Sequence, residues 1–134
     1  KGMVLDPADV DTCSVGSFFM NPILPPALRD RVAGLAGSDR PGYAMADGRV
    51  KVPAAWLIER SGFPRGTLDG PVGISSKHTL ALVNRGGATA RDVLRLASRI
   101  KRSVLDRFGV WLRPEPVFIG FEADRDVQFL QAEA

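Results

Sequence analysis

Two side chains carry groups that acid–base chemistry uses, and each sits in a run that constrains its surroundings. Ser17 lies in Gly16-Ser17-Phe18-Phe19-Met20-Asn21-Pro22. A lone serine hydroxyl is a poor acid. It can deliver a proton only to a strongly basic carbanion where water is excluded, and Phe18 and Phe19 are consistent with such a dry position. Gly16 allows backbone to approach a ligand closely. The same serine also reads as a turn residue capping local backbone. Glu115 stands between Pro114 and Pro116, which stiffen its presentation and remove a backbone donor. To serve as a proton donor it would have to be protonated or share a proton, which burial or nearby negative charge favours. The alternative is an exposed loop glutamate, the commoner fate of this residue type.

Other residues fit anion contacts or nothing in particular. The Asn21 amide can donate to a phosphate oxygen, or Asn21 simply forms a turn before Pro22. His78 is the one histidine and Cys13 the one cysteine, so an internal disulfide and a multi-cysteine zinc site are excluded. No carboxylate lies at ligand spacing from His78, which reads as a strand-start residue rather than a metal ligand. Gly86-Gly87 resembles a turn before a helix and matches no phosphate-binding fingerprint. The 134 residues carry a net charge of +3. That fits a mildly basic surface or affinity for an anion such as a diphosphate. Nucleic acid is disfavoured, because no dense Lys/Arg block with interleaved aromatics is present. No run of about 18 apolar residues predicts a membrane span.

The elements that must position these groups read as one α+β domain. The expected architecture is a small mixed or antiparallel sheet packed against two or three helices. One helix is long, over about 89–108. Val93, Ala97, Ile100, Val104 and Phe108 trace its apolar stripe. Thr89 and Asp92 resemble a capping box at its start, and Arg91, Arg95, Arg99 and Arg102 form a face expected to be solvated. Pro25-Pro26 start an earlier helix, with Leu28, Val32 and Leu35 on one face. Pro53 starts another, through about Arg60. Strands are expected at 72–75 and 79–84, the second buried on both faces. Residues 62–73 read as a turn-rich connection, and the acidic end after Gly120 is expected to fray.

Four segments, in order, resemble the UDP-N-acetylenolpyruvoylglucosamine reductase family, the flavoenzymes of peptidoglycan precursor synthesis. Residues 16–22 are similar to its G-S-F-F-K-N-P signature, and residues 51–58 (K-V-P-A-A-W-L-I) to its K-x-x-A-x-W-L-I segment. Residues 77–89 resemble its central strand and turn, and residues 108–120 its closing segment. The resemblance covers the family's C-terminal domain alone. It implies that residues 1–120 are the substrate-binding domain and 121–134 a polar tail, with the N-terminal FAD-binding region missing. A start at Lys1 without Met reads as an excised piece of a longer protein.

The implied full-length activity is that of a cytoplasmic oxidoreductase in cell wall synthesis. It uses FAD and NADPH to reduce UDP-N-acetylglucosamine enolpyruvate to UDP-N-acetylmuramate. Hydride reaches C3 of the enolpyruvyl ether, negative charge develops at C2, and a proton must follow. The resemblance makes Ser17 the proton donor and sets Glu115 near C2 and the substrate carboxylate. Asn21 becomes a diphosphate contact. The usual family lysine beside it is replaced by Met20, so Lys51, Lys77 or Lys1 is expected to supply the charge. Tyr43 takes the place of a tyrosine associated with the nucleotide, suited to stacking on uracil, or is a half-exposed loop residue. Asn84 and Arg85 lie where some members carry a substrate-contacting carboxylate; Arg85 departs from that pattern and either clamps phosphate or is solvated. The family's third catalytic residue, an arginine of the FAD-binding region, has no counterpart here. No cofactor and no metal is expected on this chain, and the fragment is expected to be inactive alone. Its expected partners are the substrate and the missing region, with no nucleic acid and no membrane. The alternative is a standalone UDP-sugar-binding or interaction domain without catalysis.

Overall fold

The computed structural model describes residues 14–37, 41–120 and 124–133. The expectations on Lys1 and Cys13 lie outside them. The domain is α+β, as the mixed pattern predicts. Among the described residues, four helices accompany two antiparallel sheets rather than one. Pro22 divides the apolar run of residues 15–24, so its two halves pair with different partners. The first half forms β1 (Ser14–Ser17) and the second β2 (Ile23–Leu24).

The larger sheet has the order β1-β7-β6-β5, with β5 at Leu68–Asp69, β6 at Val72–Ile74 and β7 at Ala81–Asn84. Strand β7 is central, and Ala81, Leu82 and Val83 are buried, as expected for a strand covered on both faces. It starts two residues later than predicted. Thr79 and Leu80 belong to a turn closed by the Ala81 N–H donating to the His78 carbonyl, so His78 is a turn residue rather than a strand start. Strand β5 was not expected. It pairs with β6 through Leu68↔Gly73 and Asp69↔Val72 inside the turn-rich connection. The smaller sheet has the order β2-β4-β3, with β3 at Tyr43–Ala44 and β4 at Val50–Lys51.

Helix α3 (Ala90–Phe108) spans the domain and touches α1 (Pro26–Ala36), α2 (Ala54–Arg60), α4 (Arg125–Gln131), β6 and β7. Its capping box is complete: the Thr89 side chain accepts from the Asp92 N–H, and Asp92 accepts from the Thr89 N–H. These bonds hold the Asp92 carboxyl below its usual range. Ala97, Ile100, Val104 and Phe108 are buried, as the stripe predicts. In α1 the stripe is rotated. Leu35 is 52% exposed, while Ala33 is buried and Ala36 packs beside the core, because a short polar helix fixes its apolar face only loosely.

The expected frayed end is corrected, while the arginine face is exposed as expected and also makes contacts. Residues 125–131 form α4, with Val127 and Leu130 buried. The Asp124 carboxylate caps it by accepting from the Asp126 and Val127 N–H groups. The arginines on α3 are its docking partners: Arg91 pairs with Asp124 and Asp126, and Arg102 lies over the Phe129 ring, 4.1 Å from its centroid. Arg99 reaches the other way to Asp69 of β5 at 2.7 Å. Lys101 is 0% exposed, and its Nζ donates to the Leu130 and Ala132 carbonyls at 2.7 and 2.6 Å. It thereby satisfies carbonyls that the end of α4 would leave open. Burial pulls its pKa down to about 8; the Glu133 charge opposes that shift and the Arg113 charge adds to it.

Candidate functional site

Ser17 closes β1 opposite Ala81. Between Ser14↔Val83 and Ser17↔Ala81, β1 advances three residues and β7 two, so β1 carries a bulge. Gly16 sits in it at φ 74, a conformation open to glycine without strain. The bulge ends at the half-buried Ser17, and among the described residues no protein hydrogen bond engages its hydroxyl. The next residue, Phe18, donates its N–H to the Leu80 carbonyl at 2.8 Å, and its ring is buried against Phe19 and Phe118.

Beyond β1 the chain leaves β7 and pairs with the closing segment. The Met20 N–H donates to the Arg113 carbonyl at 2.9 Å, and the Glu115 N–H to the Phe18 carbonyl at 2.8 Å. Phe19 and Pro114 form the bridge between them. Glu115 is thus held one backbone hydrogen bond from the residue that follows Ser17, although 98 positions separate the two in the chain. The two prolines make this possible in an unusual way. Neither has an N–H to offer a ladder, so the pairing rests on the donors of Met20 and Glu115. Glu115 is exposed and lines a cleft of about 340 Å³ together with Arg113, Phe118, Gln131 and Glu133.

A second cleft of about 450 Å³ adjoins it, with Arg113 on both. Met20, Asn21, Leu28, Arg49 and Trp111 line it. Asn21 reaches across to α2: its Oδ1 accepts from the Ala54 N–H at 2.8 Å. Pro53, at the N-cap, has no side chain able to do this, so Asn21 caps α2 from a distance of 33 residues in sequence. In the small sheet, Ile23, Lys51 and Tyr43 are paired across the three strands. Directly opposed residues share a face, so Lys51 and Tyr43 stand together, with Tyr43 62% exposed. The buried residues Leu24 and Val50 pair on the other face.

Lys77 is exposed in the turn that leads into β7, at the Ser17 end of that strand. Its N–H donates to Ser75 Oγ at 3.0 Å. The turn is fixed to α2 by Thr79 Oγ1 donating to Glu59 at 2.6 Å. Asn84 and Arg85 lie at the opposite end of β7. Asn84 Oδ1 accepts from the Gly86 and Ala88 N–H groups, and the Arg85 N–H donates to the Pro71 carbonyl. Ser17 and Lys77 thus lie at one end of β7, with Glu115 hydrogen-bonded to the residue after Ser17, and Asn84 and Arg85 lie at the other end; Asn21 leads from Ser17 into the small sheet that carries Lys51 and Tyr43. Sequence reasoning missed Arg49 and Arg113, the cations that line the same cleft as Met20. Each is paired, Arg49 with Asp47 at 2.8 Å and Arg113 with Glu133 at 2.8 Å. The adjacency of Arg113 to the Pro-Glu-Pro run was the available signal.

An antiparallel α+β domain whose serine-bearing strand end is stitched to a glutamate-bearing segment is the class that this geometry defines. The chain belongs to the family of UDP-N-acetylenolpyruvoylglucosamine reductase C-terminal domains, whose family model matches residues 6–119. It is 58% identical over 126 residues to the UDP-N-acetylenolpyruvoylglucosamine reductase of Thermobifida fusca, covering 90% of this chain and 35% of that protein. The protein of the same name from Mycobacterium ulcerans is 53% identical over 123 residues, covering 90% of this chain and 33% of its own length. That from a Mycobacterium tuberculosis strain is 52% identical over 127 residues, with 90% and 34% covered. The chain thus spans about a third of the length of the curated relatives it matches.

Proposed function

We propose that this chain is the substrate-binding and proton-donating part of a cytoplasmic UDP-N-acetylmuramate dehydrogenase acting in peptidoglycan synthesis. The observation that carries the reading is the hydrogen-bonded pairing of residues 18–20 with residues 113–115. It holds the serine and glutamate segments side by side. In this reading the substrate is UDP-N-acetylglucosamine enolpyruvate. FAD and NADPH, held by a region outside this chain, supply the hydride. Ser17 gives its proton to C2 as negative charge develops there, a step worth roughly 10²–10⁴-fold when the donor is positioned. Glu115 stands at the substrate carboxylate, where a donor aimed at developing charge stabilises the transition state most.

The diphosphate takes the Asn21 NH₂ group and the Lys51 and Lys77 ammonium groups, and uracil stacks on Tyr43. Asn84 and Arg85 stand at the far end of the buried strand β7 and take no part in this reading. Val117 and Ile119, 86% and 84% exposed beside Glu115, suit a face closed by further polypeptide, which would also keep water from the reacting carbon. The chain alone is expected to retain no FAD through gel filtration, read as flavin absorbance, and to oxidise no NADPH.

Titrating the 134-residue chain with UDP-N-acetylglucosamine enolpyruvate while following backbone amide resonances tests the site. Saturable shifts are expected at residues 17–24, 43–51 and 113–118. Absence of saturable binding, or shifts confined to the α3–α4 face, would contradict the reading.

A further inference from the structure

Away from the clefts described above, α3 and α4 enclose a separate basic groove of about 540 Å³. Arg95, Ser98, Arg99 and Arg102 line it from α3 and Arg125 from α4. It shares no lining residue with the clefts at Asn21 and Glu115.

The charge in this groove is only partly answered. Arg99 is held by Asp69 at 2.7 Å, but Arg95 meets Asp92 only at 3.9 Å. Arg102 lies on the Phe129 ring. Neither it nor Arg125 has a carboxylate partner among the described residues. Asp126 is the acidic residue on the groove, and Arg91 already engages it at 3.6 Å.

We infer that this groove binds a compact, multiply charged oxyanion of the phosphate or pyrophosphate class. Guanidinium groups present paired donors matched to phosphate oxygens. Arg95, Arg102 and Arg125 supply them from two helices. Asp69 and Asp92 pair with Arg99 and Arg95, and Asp126 on the groove is held by Arg91. A compact anion meets fewer of these carboxylates than an extended polyanion, which would run across all of them. Because the arginines come from both α3 and α4, an anion here bridges the two helices and strengthens the docking of α4. The inference does not rest on the reductase reading.

Sodium pyrophosphate, titrated into the 134-residue chain at constant ionic strength, is the probe. Saturable amide shifts are expected at residues 95–103 and 125–129. The Arg95→Gln/Arg125→Gln pair is expected to weaken binding at least about tenfold. Ser98→Ala, which removes a hydroxyl shielded from the groove, is expected to bind at parental strength. Binding that survives the Arg95→Gln/Arg125→Gln pair at parental strength would overturn the site, as would absence of saturation. Shifts confined to residues 20–24 and 49–51 would overturn it too, while leaving the proposed substrate site standing. Tighter binding of a DNA oligonucleotide than of pyrophosphate under matched salt would overturn the ligand class.

Discussion

Asn21 commits its side-chain oxygen to the Ala54 N–H, which leaves its NH₂ group as the donor it can offer a phosphate. Two substitutions separate these roles. Asn21→Ala removes the cap and is expected to lower stability by about 1 kcal/mol. Asn21→Asp keeps an acceptor for Ala54 but replaces the donor with negative charge. It is expected to hold the parental melting temperature while weakening binding of the diphosphate substrate, as read by calorimetric titration. Lys101 makes a prediction about pH. Its folded pKa of about 8 lies below the 10.5 of an unperturbed lysine, so between those values the unfolded chain binds more protons. Stability conferred relative to Lys101→Met should therefore rise as pH rises from 8 to 10.5, by on the order of 3 kcal/mol. Urea unfolding of both proteins at pH 7 and pH 10 measures it. Ser17 and Glu115 were singled out by the resemblance of their segments to the reductase family, since the residues alone also read as a turn serine and an exposed loop glutamate. Lys101 was not, since a lysine within an arginine-rich helix carries no mark of the aromatic rings of Trp111 and Phe129 that close over it.

Among the elements, α3 was readable because its stripe, its capping box and its stop at Gly109 agree with one another. Helix α4 was not. It has seven residues, two of them buried, and its stability comes from Arg91 and Lys101 on another helix. No local pattern records such tertiary support. The β5–β6 pairing hid among turn residues for a similar reason: a two-residue strand has no periodicity to detect. The small sheet carries its own test. Gly42 has φ 82, and a Cβ there would strike the Lys51 carbonyl. Gly42→Ala combines a left-handed backbone with an overlap that backbone cannot relieve, and is expected to cost roughly 2–4 kcal/mol. Thermal unfolding measures that cost. Lost cross-peaks between Tyr43 and Lys51 in the amide spectrum would show where the damage lies, and a parental spectrum and melting temperature would contradict the role given to this turn.

At the scale of the whole molecule, fold class and family follow from pattern, but the joining of the site does not. Residues 18–20 and 113–115 pair across most of the chain, and the prolines that frame Glu115 erase the alternation that announces a strand. The family resemblance named the two residues; the folded backbone pairs their segments. The account stands or falls on whether both act at one carbon. Combining this chain with the rest of a longer relative, where the proposed flavin would be held, allows the two half-reactions to be timed separately by stopped flow. Ser17→Ala and Glu115→Gln are each expected to slow the reaction of reduced flavin with substrate by at least about 100-fold while leaving flavin reduction by NADPH within about twofold of the parent. Parental rates of substrate reduction in either variant, or equal slowing of both half-reactions, would contradict it.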